Sequence, residues 1–293
     1  MKNSYQVGIL SLSMPASEYE SFLKQKVGEG SFMGVKHPKT SEEMVEWLRH
    51  LYAYKFASGF AERKSVLDVG CGTGYGICEV SDKASTVIGV DIWKERVRYA
   101  HGEYGNRSSF LVASALNLPF RDSCFDLITS FQVIEHVEDV VQYLHEIKRV
   151  LKDEGMFIVS TPNRKLRLLP FQKPWNPEHK KEYDAKELNR VLRSVFKNSK
   201  VLGLSATREV YLIEYRRVHQ NPLFVYVLNP LLYIVEDIVP KLFLSTMKRI
   251  IISKTVKAKT PIKSQNVSIG DFKLSQNLDS CLDIYGICRK SSL

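Results

Sequence analysis

The sequence Val-Leu-Asp-Val-Gly-Cys-Gly-Thr-Gly at positions 66–74 constrains the fold of this chain more than any other feature. Its apolar, β-branched start is typical of a buried strand, and the alternating glycines indicate a tight turn from that strand into a helix. Because glycine has no Cβ, Gly70, Gly72 and Gly74 can adopt positive φ angles and let a ligand approach the backbone closely. The free N–H groups that open the following helix would face that ligand.

A second strand, Thr86–Asp91, also ends in an acidic residue, at about the spacing of the ribose-binding acid in nucleotide-binding folds. The dinucleotide pattern G-x-G-x-x-G fails in both registers, because its third glycine would fall on Tyr75 or Ile77. Asp68, two residues before the first glycine, would repel a pyrophosphate but suits a cationic amino-acid group or a bound water. An adenosine ligand with an ammonium group and no phosphate is S-adenosylmethionine.

The turn resembles motif I of the class I S-adenosylmethionine-dependent methyltransferases, and the resemblance covers roughly residues 45–210 and the last strand. It implies an α/β fold: a Rossmann-like, doubly wound sheet of seven strands, mostly parallel with an antiparallel last strand, plus a helical cap or insertion. It implies S-adenosylmethionine as the cofactor. The residues implied to bind it are Asp68, Gly70, Cys71, Gly72, Gly74, Asp91, Ile92, Ser114, Ala115, Phe131 and Gln132.

Further segments extend the resemblance along the chain. Residues 110–120 are similar to the segment that flanks the adenine, although most relatives carry Asp at the position of Ser114. A hydroxyl still accepts a hydrogen bond from the adenine amino group, but more weakly than a carboxylate. Residues 125–130, 131–137 and 155–163 resemble strand four, the segment after it, and strand five with its turn.

Four regions are predicted. Residues 1–64 form an N-terminal helical lid region, in which Thr40–Glu43 is a capping motif before a helix that reaches about Phe60. Residues 65–205 alternate strand and helix and form the S-adenosylmethionine-binding Rossmann-like domain. Residues 206–279 are an insertion that shapes the substrate site, and residues 280–293 supply the final strand.

The composition fits one compact enzyme: 293 residues, of which 44% are hydrophobic and 25% charged. Five cysteines without a C-x-x-C pair indicate neither a metal site nor a disulfide framework, and therefore a reducing cytoplasm. No secretory signal is visible at the N-terminus. The formal net charge of +10 suits an anionic partner such as a lipid headgroup, a sugar nucleotide or RNA.

The predicted insertion contains an apolar stretch followed by a cationic one. Residues 223–244 are mostly apolar but broken by prolines and acids, which argues against a transmembrane helix. Residues 241–263 hold seven Lys or Arg and no acid. Residues 223–263 therefore resemble an anchor on an anionic membrane surface, while the favoured interpretation is a helical cap or dimer contact with a solvated basic face. The sequence does not indicate the oligomeric state.

His136 and His179 are the two candidate bases. His136 follows strand four, and the resemblance implies a base there because several sugar methyltransferases use a histidine in this region. The equally weighted alternative is structural: His136 caps the following helix or makes a hydrogen bond within it. His179 lies in Trp175–Asp184, which resembles an N-P-x-H-x-x-E-[YF] segment of methyltransferases that accompany glycan synthesis. Fixing of its own loop is the somewhat favoured alternative for His179. Their spacing with Glu135 is not diagnostic of a metal site, and no metal is expected.

Three functions follow from these features. The first is methyl transfer to a small-molecule or glycan hydroxyl, including that of a lipid- or nucleotide-linked sugar. The second is O-methylation of a quinone or another small lipid. The third, less favoured, is tRNA modification through the basic C-terminal region. A cytoplasmic enzyme that is peripheral at the membrane is compatible with the first two.

Overall fold

The computed structural model describes residue 38 and residues 40–169, 172–174, 176–219 and 267–291. Within these ranges, strands and helices alternate along the chain. The strands are β1 (Ser65–Val69), β2 (Thr86–Asp91), β3 (Ser109–Val112), β4 (Phe125–Phe131), β5 (Leu151–Pro162), β6 (Asn198–Ala206), β7 (Phe272–Ser275) and β8 (Asp283–Arg289). The α-helices are α1 (Ser41–Ser58), α2 (Cys78–Ser81), α3 (Lys94–Tyr104), α4 (Val140–Val150), α5 (Arg164–Arg167), α6 (Ala185–Arg193) and α7 (Arg208–Val218). Short 3-10 helices span Tyr75–Ile77, Ile134–His136 and Ile269–Asp271.

The strands form one mixed sheet in the order β3-β2-β1-β4-β5-β8-β6-β7. Neighbours from β3 to β5 are parallel, whereas β8 is antiparallel to both β5 and β6. The predicted Rossmann-like α/β sheet with an antiparallel late strand is confirmed. The prediction of seven strands is wrong: β7 lies inside the predicted insertion and pairs antiparallel with β6. This pairing satisfies backbone groups of β6 that an uncovered edge would leave to solvent.

The sheet is covered on both faces. Alternate residues of β1 enter two different apolar clusters, Val66 one and Leu67 the other, as the pleat of a strand requires. Val45 of α1 packs in the first cluster, and Leu144 of α4 packs in the second. This is the doubly wound arrangement that alternating strand and helix predicts.

Helix α1 begins where the sequence predicts it. The Thr40 side chain accepts a hydrogen bond from the backbone N–H of Glu43 at 3.2 Å. Within the helix, Arg49 is buried; it donates to both carboxylate oxygens of Asp283 at the start of β8 and also pairs with Glu214 of α7. This network ties α1 to β8 and α7. Removing one of its members would leave a buried charge without a partner, which is strongly destabilising.

The carboxyl ends of the parallel strands meet at one edge of the sheet, the edge at which open α/β sheets bind ligands. Because β8 runs antiparallel, its first residue, Asp283, lies opposite Pro162 at this same edge. The described helices include none that is both long and apolar enough to cross a bilayer. The segment 223–263, predicted to form a cap or a membrane contact, lies outside the described residues.

Candidate functional site

The glycine turn joins β1 to the 3-10 helix Tyr75–Ile77, as predicted. Gly70, Gly72 and Gly74 have φ angles of 78°, 56° and 77°, a region that L-residues with side chains rarely occupy. The backbone N–H groups of Gly70 and Cys71 both donate to the Val90 carbonyl, at 2.7 and 3.0 Å. The turn is thereby fixed against the end of β2.

The three glycines differ in what surrounds them. A Cβ on Gly70 would lie 2.3 Å from Cγ2 of Val133, and one on Gly74 would lie 2.9 Å from Cβ of Ala100. A Cβ on Gly72 would meet no described atom within 4 Å. Gly70 and Gly74 are therefore required by packing, whereas the open space at Gly72 is where a ligand can approach the backbone.

Alanine at Gly70 and alanine at Gly72 are expected to have different effects. Both replacements force a side chain into positive φ, at about 1–2 kcal/mol. Gly70→Ala adds a clash with Val133 and should lower the melting temperature further. Gly72→Ala should fold with the smaller loss but weaken S-adenosylmethionine binding, because its methyl group enters the ligand's space. Thermal unfolding and calorimetry measure the two effects. Wild-type affinity in Gly72→Ala would contradict this placement of the ligand.

Asp91 joins the ends of β2 and the glycine turn. Its Oδ2 accepts from the N–H of Gly72 at 2.9 Å, and its Oδ1 accepts from the N–H of Trp93 at 2.8 Å. Ile92, next along the chain, exposes 66% of its surface, so an apolar side chain stands beside the carboxylate without a cover among the described residues. This combination suits a ribose held by the acid and a purine against the aliphatic side chain.

The segment after β3 lies next to Asp91. The N–H of Ala113 donates to the Asp91 carbonyl at 3.0 Å, which places Ser114 and Ala115, both half-buried, beside the same edge. The Ser114 hydroxyl oxygen accepts from the N–H of Leu116 at 3.2 Å and so shapes its own turn. The residues predicted to flank an adenine are therefore brought together with Asp91, the predicted ribose-binding acid. Contact of any of them with a cofactor stays a prediction.

Asp68 lies buried beneath the turn. Its carboxylate accepts from the Tyr54 hydroxyl at 2.9 Å and from the Thr129 hydroxyl at 2.7 Å. Burial raises the pKa of Asp68 to about 7, against the opposing effect of these two hydrogen bonds and with a further contribution from the charge of Asp91. A ligand ammonium group beside this acid would favour its ionised form.

Cofactor affinity should therefore increase with pH through about 7, because ammonium binding to a protonated Asp68 requires loss of the proton. The contribution of Asp68 to the stability of the free protein should change in the opposite direction. Folded Asp68 holds a proton that the unfolded chain releases above about pH 4, so this contribution falls as pH rises between about 4 and 7. It is read as the difference in stability between the wild type and a variant without the carboxyl group. Calorimetry and thermal unfolding at pH 6 and pH 8 measure both trends.

Asp68→Asn is the matched control for this pH dependence, since it keeps the size and removes the titrating group. It should flatten both trends and weaken cofactor binding at pH 8. Wild-type affinity in this variant would show that Asp68 carries no charge to the ligand.

The end of β4 completes the edge. Phe131 is buried and packs edge-on against Tyr54, with ring centroids 4.9 Å apart. Gln132 has a φ of 56°, an uncommon backbone conformation for a non-glycine residue that occurs preferentially at functional sites. The N–H of Gln132 donates to the Ser160 carbonyl at 2.9 Å, and its side-chain amide lies 3.4 Å from Oδ1 of Asp283. Both predicted residues thus lie at the ligand edge, adjoining Val133 and the glycine turn.

The two candidate bases, distant in sequence, meet in the structure. His136 ends the 3-10 helix Ile134–His136, and His179 lies in the loop before α6. Their rings make an edge-to-face contact with centroids 4.8 Å apart. The loop is pinned there, because the N–H groups of Lys180 and Lys181 donate to the Glu135 carbonyl at 2.7 and 3.2 Å. The two histidines, predicted as alternative bases, thus form one cluster with Glu135.

The hydrogen bonds of the rings determine which nitrogen is available. Nδ1 of His136 lies 3.1 Å from the Glu178 carbonyl, which only accepts, so Nδ1 carries the hydrogen. Nδ1 of His179 lies 2.8 Å from Oε1 of Glu182, and Nε of Arg167 donates to both oxygens of that carboxylate. When His179 is neutral, its Nδ1–H likewise donates to the Glu182 carboxylate. In both neutral rings, Nε2 is therefore the nitrogen with a free lone pair.

Burial lowers the pKa of His136 to about 4, with a further contribution from His179. Burial also lowers the pKa of His179, against the Glu182 hydrogen bond. Both rings are therefore neutral near pH 7. Glu135 is buried, accepts from the Thr161 hydroxyl at 3.0 Å, and has a pKa raised to about 8 chiefly by burial.

Three further partners of this cluster were not predicted from the sequence: Glu182, Arg167 and Thr161. Only the contact between His179 and Glu182 had a signal in the sequence. The two residues are three positions apart and are the His and Glu of the N-P-x-H-x-x-E-[YF] segment. The alternative role of His179, fixing its loop, is also realised through its bond to Glu182. His145 on α4 is exposed.

Comparison with known proteins adds the class of domain. Residues 67–159 match the family model described as a methyltransferase domain. A probable S-adenosylmethionine-dependent methyltransferase of Mycolicibacterium smegmatis is 35% identical over 168 residues, which are 57% of this chain and 65% of that protein. Norajmaline N-methyltransferase of Rauvolfia serpentina is 33% identical over 124 residues, 40% of this chain and 42% of that protein. The chain thus matches less than two-thirds of the length of these relatives.

Solved structures agree on the fold. The cyclase SpnF has a TM-score of 0.57 at 17% identity and covers 94% of this chain and 96% of its own. A Haemonchus contortus phosphoethanolamine N-methyltransferase, solved with S-adenosylhomocysteine, has a TM-score of 0.52 at 16% identity and covers 84% of this chain and 53% of its own. Residues 67–159 therefore match a methyltransferase domain, and the solved structures agree with its Rossmann-like fold.

Proposed function

We propose that this S-adenosylmethionine-dependent methyltransferase domain methylates a hydroxyl group of a small molecule or glycan. The observation that carries the proposal is the His136–His179 cluster, which presents neutral imidazoles at the ligand edge of the sheet. An amine acceptor needs only to be neutral, whereas a hydroxyl acceptor benefits from a nearby group that accepts its proton. Nε2 of His136 is the proposed acceptor of that proton, with His179 beside it.

When bound, S-adenosylmethionine supplies a methyl group already activated by its sulfonium sulfur. The residues of this chain that would hold it are Asp91 for the ribose hydroxyls, Asp68 for the ammonium group and Gly72, whose open side would admit the ligand to the backbone. The acceptor hydroxyl would give its proton to Nε2 of His136, and its oxygen would take the methyl group. Orientation and exclusion of water supply most of the rate enhancement in such a transfer.

N-methylation is the second candidate. The observation in its favour is the 33% identity to a protein named as a norajmaline N-methyltransferase. A nitrogen acceptor would make the histidine cluster dispensable for proton transfer. No contact among the described residues favours a quinone, a lipid or a tRNA as the acceptor. The labelling experiment below distinguishes them.

The test is to incubate the protein with methyl-labelled S-adenosylmethionine and fractionated cell extract, and then to follow the label. Label in glycan or in a small hydroxylated compound supports the proposal. Label in amines, quinone, lipid or RNA identifies another acceptor. Absence of label from every fraction contradicts methyl transfer. Asp91→Ala provides the control for cofactor-dependent labelling.

Residues 223–263 are proposed to lie over the acceptor site or to contact another subunit, with membrane contact as the competing outcome. If they contact an anionic membrane, the protein should sediment with anionic liposomes at low salt and less at high salt, because salt screens the attraction. Replacing Lys248, Arg249, Lys254 and Lys257 by Glu should then abolish sedimentation without affecting cofactor binding. Equal recovery in the supernatant with and without lipid would exclude the membrane version.

A further inference from the structure

We propose that Glu135, His136 and His179 bind a divalent cation of the zinc type. In the part of the chain that the structure describes, these three residues form the one group of at least three possible ligands whose ligand atoms all lie within 4.8 Å of one another. Ligand atoms about 2.0–2.2 Å from a tetrahedral zinc ion are roughly 3.4 Å apart. Movements of about 1 Å by the side chains would therefore close the site around an ion.

The hydrogen bonds behind the two histidines are those of metal-binding histidines. Such residues donate their second ring N–H to a carboxylate or a backbone carbonyl, which fixes the tautomer and the ring orientation. His179 donates to Glu182, itself held by Arg167, and His136 donates to the Glu178 carbonyl. Both rings are thus prepared to offer Nε2.

The third ligand is similarly oriented. The Glu135 carboxylate is buried and accepts from the Thr161 hydroxyl through Oε2. The Glu135 carbonyl accepts the N–H groups of Lys180 and Lys181, so the histidine loop is fastened to the residue that would share its cation. A cation at this position would compensate a buried carboxylate, which is otherwise costly to keep ionised.

The donor set selects the type of cation. Two imidazoles and one carboxylate suit zinc and neighbouring transition metals, whereas magnesium and calcium prefer oxygen ligands throughout. Three protein ligands leave a coordination position open, which is the pattern of catalytic rather than structural zinc sites. The site is therefore expected to accept a further oxygen ligand.

The consequence for catalysis rests on the proposed function. An acceptor hydroxyl at the open position would have its pKa lowered by the cation; its O–H bond would break, the proton would pass to water, and the oxygen would remain ready to take the methyl group. His136 would then act as a ligand, whereas in the cation-free protein its Nε2 takes the proton directly. Both states perform the same transfer but with a different dependence on pH.

The experiment is a cobalt titration of the full-length, chelator-treated protein, followed by visible absorption, with zinc competition measured by calorimetry. One saturable site at micromolar or lower concentration is expected, with His136→Ala and His179→Ala each weakening it at least a hundredfold. His145→Ala, which removes an exposed histidine of α4, is the matched control and should bind as the wild type does. Glu135→Gln, nearly isosteric, serves if the His179 variant does not fold, and should also weaken binding.

Two results would overturn the proposal: absence of saturable binding to the wild-type protein, or equal binding by the folded His136 and Glu135 variants. Because cation binding is measured without any methyl acceptor, its outcome is separate from that of the labelling experiment. Cation binding without methyl transfer would support the cation site and contradict the proposed function. Methyl transfer without cation binding would support the proposed function and contradict the cation site.

Discussion

Replacing His136 with alanine is expected to lower turnover about a hundredfold or more while leaving cofactor affinity near that of the wild type. In the proposed mechanism, Nε2 of His136 takes the acceptor's proton in the cation-free protein, or else helps to hold the cation that lowers the pKa of the acceptor hydroxyl. The ring makes no hydrogen bond to the glycine turn among those observed, so cofactor affinity should not depend on it. Single-turnover methyl transfer and calorimetry with S-adenosylhomocysteine measure the two quantities. His145→Ala is the control, since that residue lies outside the cluster.

The pH profile adds a second readout for the same variant. In the cation-free protein the pKa of His136 is low, about 4, against an ordinary histidine value of about 6.5. Turnover should therefore rise with pH near pH 4, where this ring loses its proton. Loss of activity in His179→Ala with full activity in His136→Ala would reassign the proton acceptor to His179. Full activity in both variants would indicate an amine or a preformed anion as the acceptor.

Asp91→Ala is expected to weaken cofactor binding several-fold to a hundredfold, on the order of 1–3 kcal/mol for lost charge-assisted hydrogen bonds. The carboxylate would lose the ribose hydroxyls and, at the same time, its bonds to the N–H groups of Gly72 and Trp93. The glycine turn would then be less well ordered before the ligand arrives. Calorimetry with S-adenosylmethionine measures the affinity, and thermal unfolding measures the cost to the turn.

Asp91→Asn separates these two contributions. Asparagine keeps one acceptor oxygen for a backbone N–H but loses the charge and the second acceptor toward the ribose. Asp91→Asn should therefore have a melting temperature near that of the wild type, while its affinity for S-adenosylmethionine should still be clearly lower. Unchanged affinity in both variants would contradict the assignment of Asp91 to the ribose.

Much of the fold could be predicted because its signals are local. The run before Gly70 is apolar, and positive φ angles at the turn require glycine, so β1 and the turn follow from neighbouring residues. Thr40 and Asp139 accept from the backbone N–H three residues on and mark the starts of α1 and α4 for the same reason. The extra strand β7 was missed, because a four-residue edge strand depends on the free edge of β6 rather than on its own pattern.

The sequence by itself determined the strand, the glycine turn and the acid at the end of the next strand, and through them the cofactor class. Only the tertiary structure decided that His136 and His179 touch, that Glu135 lies buried beside them, and that Asp68 titrates near pH 7. The physical reason is the range of the interactions. Backbone conformation and strand burial are written in adjacent residues, whereas contacts between distant loops and the desolvation that shifts a pKa exist only after the chain has packed.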